Sequence, residues 1–273
     1  MGRRKDDLIA TPRVYVIGTQ SVDWGAVVQF LDDEGHRDKT WPVGLVSLPG
    51  EALPEISGRL CYMSFGPGGR PHAEYIRHLL ECGHGSVLEH AVVTFILTGV
   101  SRTLTHELVR HRAGWAYSQL SQRYVDEHAA QFILPPALAG RDTDRVGLRD
   151  EWRVMAEDAR DNYRRIVERL GSILARERDE SRLSTALRKV LRGAARSVLP
   201  GCTETKICCT VNARALRHFL ELRANVHADD EIREVALLIH DAVRPHWPDL
   251  LGDFRRETSG DGRDILVNDY KKV

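Results

Sequence analysis

The segment from Val92 to Leu108, VVTFILTGVSRTLTHEL, changes its hydrophobic period partway along, and that change sets the fold class. Val92 to Thr98 is an apolar, β-branched run of the kind that forms a buried strand. Beyond Gly99, Ser101 offers a helix N-cap, and Leu104 and Leu108 stand four residues apart with Glu107 in the first turns, so a helix is expected to run into Arg110-His111-Arg112. Further strands are expected at Arg13–Ile17 (RVYVI) and Lys206–Val211 (KICCTV). Helical periods surround them. One begins at Pro71, buries Ile76, Leu79 and Leu80, and stops at Cys82-Gly83. Another fills Asp144 to Leu199, where Trp152, Met155, Ala159, Ile166, Leu170 and Leu174, then Leu183, Leu187, Leu191 and Ala194, follow the 3.6-residue period. It reads as a helical hairpin broken near Glu177–Ser181 and stopped by Pro200-Gly201, with two more helices over about Ala213–Ala224 and Asp229–Val243. Asp32–Lys39 and Gly66-Pro67-Gly68-Gly69 read as turns. The sum is one α+β domain over residues 1–273, a mixed sheet with a helical lobe, whose termini (about 1–12 and 258–273) are expected to be disordered.

Composition narrows the function classes. Of 273 residues, 42% are hydrophobic, and 39 Lys plus Arg balance 39 Asp plus Glu, which excludes a disordered or fibrous chain and a protein built to coat nucleic acid or membrane. Five cysteines without a CxxC pair read as reduced thiols of the cytoplasm. The start, MGRRKDDL, has no apolar run after its basic residues, and Asp6 stands where a myristoylation signal needs Ser or Thr. Ala91–Val100, the longest nearly apolar stretch, is about half the roughly 20 residues that span a bilayer. A soluble, cytoplasmic protein is expected.

Twelve histidines invite a metal site, most densely at His84, Glu89, His90, His106, Glu107 and His111. In His106-Glu107-Leu108-Val109-Arg110-His111 the second imidazole falls at i+5, about 140° around a helix from the first, and Arg110 occupies i+4, so no metal is expected there. No cysteine has surroundings that would activate a thiol. Arginine is the stronger signal: Arg102, Arg110, Arg112, Arg123, Arg196, Arg214, Arg217 and Arg223 sit beside Ser, Gln, Asn and His at predicted element ends. Guanidinium forks suit phosphates and carboxylates, although a charge-rich helix end is also an ordinary solvated face. No Rossmann or P-loop fingerprint accompanies them.

The run from Arg110 to Tyr124, RHRAGWAYSQLSQRY, closely resembles the signature of the flavin-dependent thymidylate synthases, Arg-His-Arg, seven residues, then Ser. Gly83–His90 (GHGSVLEH), Ser101–Leu108 (SRTLTHEL), Ala195–Pro200 (ARSVLP) and Asn212–Arg223 leading into His227-Ala228-Asp229 extend the resemblance over about 190 residues. It implies the family's α+β homotetramer with shared active sites, and reductive methylation of the uracil 5-carbon. FAD would be the cofactor, with NADPH and methylenetetrahydrofolate as cosubstrates. By motif position it places Arg102, Glu107, Gln119, Ser121, Gln122, Arg123, Arg196 and Arg223 on the nucleotide. His90, Arg110, His111, Arg112, Asn212 and His218 fall on the flavin, with Arg110 also approaching the substrate and Gln119 near both ligands. Arg223 and Ser121 are placed closest to the chemistry. Arg223 would stabilise charge developing on the ring, and Ser121 would act by hydrogen bonding, because no paired base is visible for nucleophilic attack.

One departure stands out. Eight residues, Ala113 to Leu120, separate Arg112 from Ser121, one more than the usual seven. A lengthened loop can leave the pocket unchanged, giving an ordinary dUMP-only thymidylate synthase. It can also open the sugar site to a ribose, as in the UMP/dUMP methylases of nucleoside-antibiotic pathways that it resembles. Readings from other classes are a nucleotide- or RNA-binding protein without catalysis, using Trp115, Tyr117 and Tyr124 among the arginines, and a flavoprotein reductase that makes no use of folate.

Overall fold

A strand that ends in a helix without an intervening loop occurs twice among the described residues, and both occurrences are neighbours in one sheet. In the computed structural model, which describes residues 10–36, 49–66, 69–140, 142–143, 146–175 and 182–273, strands β1 (Arg13–Thr19), β2 (Val92–Ser101), β3 (Trp115–Gln119) and β4 (Glu204–Asn212) form a sheet of order β1-β2-β4-β3. Helix α5 (Arg102–Leu108) follows β2 directly, capped by Ser101 Oγ, which accepts from the Leu104 amide. Helix α8 (Ala213–Arg223) follows β4 in the same way, capped by Asn212 Oδ1, which accepts from the Ala215 amide. Such caps satisfy amides that the first helical turn leaves open. The other helices are α1 (Trp24–Asp33), α2 (Pro49–Leu60), α3 (His72–Glu81), α4 (Gly85–Leu88), α6 (Leu148–Ala175), α7 (Thr185–Ala195) and α9 (Asp230–Val243). The expected break at 177–181, the first nine residues, Pro67-Gly68 and the polar segment beyond His36 lie outside the described residues.

The chain divides into two compact units. One is built from described residues within 1–13, 97–109 and 118–207, the other from those within 14–96, 110–117 and 208–273. In the first, the end of β2 is wholly buried and continues past the expected Thr98 to Ser101. Gly99 makes this continuation: its φ is +68°, and a Cβ there would lie 1.8 Å from the Thr11 carbonyl oxygen, so only glycine fits. Its amide donates to Glu204 Oε1 at 2.8 Å. Helix α5 stops at Leu108, before the expected Arg110–Arg112, because Val109 already caps it and the chain turns at Arg110.

Helix α6 turns a different face inward from the one expected. Ala156, Tyr163, Val167 and Gly171 are buried, while Met155 and Leu174 are 60% and 51% exposed. Tyr163 selects the face: its hydroxyl accepts from the Glu127 amide at 3.3 Å, and its ring packs with Val167, Ile166, Ala195 and Leu199. On α7, Leu191 and Ala195 are buried and the expected Ala194 is exposed.

The second unit packs Leu31 and Phe65 with Trp24, Val27, Phe30, Ile56 and Met63, and ends α3 at Gly83 in the left-handed region, as its sequence predicts. The tail expected to be disordered after about Glu257 is ordered instead: β5 (Arg255–Thr258) and β6 (Asp264–Val267) form an antiparallel hairpin, and Leu266, Asn268 and Val273 are buried. Its polar surface conceals the anchors, since the Leu266 amide donates to the Ala224 carbonyl and Glu221 accepts from the Asn268 side chain. At the centre Arg217, 1% exposed, holds both Asp253 carboxylate oxygens at 2.6 and 2.8 Å, the carbonyls of Leu250 and Tyr270, and the face of Phe254. Removing one member of a buried ion pair strands the other charge, at a cost of about 3–5 kcal/mol. Asp253→Ala is therefore expected to lower the unfolding free energy read from urea titration by that amount, whereas the exposed Lys271→Ala stays within about 0.5 kcal/mol.

Candidate active site

The residues singled out from the sequence fall into two clusters, one in each unit. In the first unit Arg102 opens α5, and its backbone amide donates to the Thr203 carbonyl at 3.1 Å, which fixes where the side chain starts. Its Nη1 is buried without a hydrogen-bond partner. Burial lowers the pKa of this guanidinium; Glu127 opposes that shift and the neighbouring charge of Arg196 adds to it. Gln122 and Glu127 face each other outside hydrogen-bond geometry, so Gln122 Nε2 and Glu127 Oε1 also remain unsatisfied. Burial, with the charge of Glu204, raises the Glu127 pKa. Two buried donors beside a second guanidinium make a site that favours an anion, because a buried donor without a partner costs about 1–3 kcal/mol until an acceptor arrives.

The neighbouring residues line up along the same turn. Ser121 is half-buried, and its hydroxyl accepts from the exposed Arg123's amide at 3.4 Å. No base is hydrogen-bonded to it among the described residues. Gln119, at the end of β3, donates through Nε2 to Thr105 Oγ1 at 3.0 Å and to Thr205 Oγ1 at 3.3 Å. Glu107 is half-buried on α5, and Arg196 is exposed just past α7.

The second unit gathers His111, His218 and Arg223, so Arg223, expected among the nucleotide ligands, belongs to the cluster that holds the flavin-side histidines. Arg223 Nε donates to His111 Nε2 at 3.1 Å. The His111 ring packs edge-on against Phe219 at 5.1 Å and against His218 at 6.3 Å. Burial, then Arg223, then His218 push its pKa down to about 4, so it is a neutral imidazole whose Nε2 accepts and whose Nδ1 carries the proton. Asn212 spends Oδ1 on the helix cap, and its amide donates to the Gly114 carbonyl at 3.0 Å. His90, Arg110 and Arg112 are exposed on turns.

The lengthened piece after Arg112 is a strand where a loop is expected. Gly114 turns the chain with φ +72°, and a Cβ there would meet Asn212 Nδ2 at 2.6 Å and Ala215 Cβ at 2.7 Å. Trp115 then enters β3, stacks on Tyr117 at 5.6 Å and packs edge-on against Phe219 and Phe95. The Tyr117 hydroxyl donates back to the His111 carbonyl at 2.7 Å.

A cavity of about 570 Å³ in this unit brings His84, Ser86 and Arg214, noted in the sequence, together with Tyr62 and Arg70, which sequence reasoning does not single out. The signal for it is Gly85, where a Cβ would lie 2.7 Å from Arg214 Nε. Arg214 pairs with Glu89 at 2.7 Å and stands four residues before His218, so both occupy one exposed face of α8. None of the five cysteines is in a disulfide, and burial pushes the Cys209 thiol up to about 12, which leaves it inert.

The neutral His111 has a consequence for acid stability. Below pH 6.5 the unfolded chain takes up a proton that the folded imidazole refuses until about pH 4. Its contribution is complete above 6.5 and is lost as pH falls from there toward 4. Urea midpoints are expected to fall less steeply across this range in His111→Gln than in the unmodified protein. Equal slopes would assign the loss to other groups, such as His240, whose pKa burial also lowers.

Comparison with known proteins agrees with this geometry. Residues 45–249 match the family model described as thymidylate synthase complementing protein. A flavin-dependent thymidylate synthase of Mycobacterium sp. (strain JLS) is 43% identical over 221 residues, covering 80% of this chain and 85% of the relative. Those of Mycobacteroides abscessus and Mycolicibacterium vanbaalenii are 43% and 42% identical over 222 residues, with the same coverage. An anion site with open buried donors, a histidine–arginine cluster and this extent of identity place the chain in the thymidylate synthase complementing protein family, among the flavin-dependent thymidylate synthases.

Proposed function

We propose that this protein methylates the 5-carbon of uracil in dUMP and UMP, with bound FAD as cofactor and methylenetetrahydrofolate and NADPH as cosubstrates. The observation that carries the nucleotide is the pair of buried open donors, Arg102 Nη1 and Gln122 Nε2, beside Arg196. A nucleotide phosphate supplies the missing acceptors, and Arg123 and Ser121 are within the same turn to add to it. His90, Arg110, His111, Arg112, Asn212 and His218 would hold the flavin. The fit rests on the large cavity beside Arg214 and on the exposed face that leads from Arg214 to His218. Bound flavin would supply the hydride that completes the methyl group.

The chain's own contribution is electrostatic. Arg223 carries a fixed positive charge whose direction is set by its bond to His111, and the neutral imidazole adds no second cation to compete with it. Such a charge stabilises the electron-rich ring whose 5-carbon attacks, a negative charge that is used up as the new carbon–carbon bond forms. Ser121 binds substrate by hydrogen bonding. The exposed apolar residues Val154, Met155, Ile173 and Leu174 on α6 support a homotetramer. The thiol state of all five cysteines supports work in the cytoplasm.

The Trp115–Gln119 strand supports use of both sugars, since it belongs to a segment before Ser121 that is one residue longer than usual. A pocket without a built clash rejects an added hydroxyl only about 100-fold. Equimolar competition between UMP and dUMP tests this: methylation of both is expected, and a preference for dUMP well above 100-fold restores the dUMP-only reading. Arg102→Ala is expected to raise the nucleotide KM about 10- to 100-fold, the loss of one charged hydrogen bond of about 1.5–3 kcal/mol. Ser121→Ala is expected to keep substantial turnover, and abolished turnover with intact binding would make Ser121 the nucleophile. Retention of FAD after desalting, with bleaching by NADPH that depends on nucleotide, tests the cofactor; no retention by folded protein would favour the binding-protein reading.

A further inference from the structure

We propose that the second unit carries a zinc site, formed by Glu51 Oε2, His72 Nε2 and Asp249 Oδ2, remote in sequence from every residue assigned above. The three ligand atoms lie within 4.8 Å of one another. His72 Nε2 is 3.8 Å from Glu51 Oε2 and 3.6 Å from Asp249 Oδ2. These separations are too long for hydrogen bonds, and Nε2 is buried without a hydrogen-bond partner. They are close to the about 3.3–3.4 Å that separates two ligands bound tetrahedrally to one zinc ion at about 2.0–2.1 Å.

The ligands are already held in place. Glu51, 1% exposed, accepts the amides of Asp249 and Leu250 through Oε1 at 2.8 and 2.7 Å, which leaves Oε2 as the oxygen that faces His72. On the other side of the imidazole, Nδ1 bonds Glu55 Oε2 at 2.5 Å, and Arg59 Nε donates to Glu55 Oε1 at 2.7 Å. A carboxylate on the far nitrogen is the usual companion of a metal-binding histidine, because it fixes the tautomer that offers Nε2. Asp249 also lines a cavity of about 280 Å³ with Arg77, Asp253 and Tyr270, so this one of the three ligand residues borders open space. One nitrogen and two carboxylate oxygens suit zinc better than magnesium or calcium, which take mostly oxygen. No short-range spacing announces the site, since its ligands come from the first turns of α2 and α3 and from the turn after α9.

The test uses the full chain, freed of metal by a chelator and dialysed. Titration with zinc chloride is expected to load one ion per chain and to raise the thermal midpoint, and cobalt in its place is expected to give the visible absorption of a tetrahedral site. His72→Gln and the half-buried Asp249→Asn should each lose at least tenfold in affinity, the second without touching the backbone bonds of Glu51. Zinc uptake that survives both variants overturns the assignment by placing the ion on other histidines. Absence of uptake by the folded, unmodified protein overturns it in favour of a proton-bridged cluster. Flavin retention and methylation are read separately, so failure of either proposal leaves the other standing.

Discussion

A strand that passes straight into a helix has no loop in which to spread an error, so both the last strand residue and the first helical turn must be satisfied on the spot. Ser101 and Asn212 do this at the ends of β2 and β4. The two strands run antiparallel, with the Ala213 amide bonded to the Ala91 carbonyl and the Arg102 amide to the Thr203 carbonyl. Each capped junction delivers an arginine to the opening of a helix, Arg102 on α5 and Arg214 on α8. Position and charge are thereby fixed by backbone hydrogen bonds before any ligand is considered. The Glu204 carboxylate reinforces the first junction by accepting the Gly99 amide and pairing with Lys206.

What surrounds these junctions shows two ways of using a buried charge. Arg217 has both terminal nitrogens filled by four oxygens, with only its Nε left unpartnered, and its role is to lock the tail and the turn after α9. Arg102 is left with an open nitrogen and a like charge nearby. The first arrangement holds a fold together; the second stores a demand for an anion. The Arg223–His111 pair lies between them, a guanidinium aimed by a neutral acceptor that adds no charge.

The sequence was most readable where period and punctuation agreed. Val92–Thr98, Ser101, Gly83 and the α8 and α9 boundaries all combine a clear hydrophobic repeat with a cap or stop residue, and all appear in place. On α6 the repeat was present but the face was only partly right: Trp152 and Ile166 pack against the core, while Met155 and Leu174, as apolar as any core residue, are exposed and Tyr163 turns inward with its hydroxyl bond. Strand β3 was hidden because its few residues mix Trp, Tyr, Ser and Gln in a segment that motif logic treats as a loop. The motif named the candidate residues, but not their contacts: only the three-dimensional structure puts Arg223 on His111 and leaves Arg102 Nη1 open.

Gly114 ties the lengthened strand to the cap of α8. Its backbone angle excludes side chains, and the space that a Cβ would need is already filled by Asn212 and Ala215. For descent with modification, positions 114, 212 and 215 form a single unit of change: the extra residue cannot be lost, nor the glycine replaced, without a matching rearrangement at the start of α8. The lengthened segment is therefore inherited together with the helix start that carries Arg214, and a chimera that exchanges one without the other would join mismatched halves.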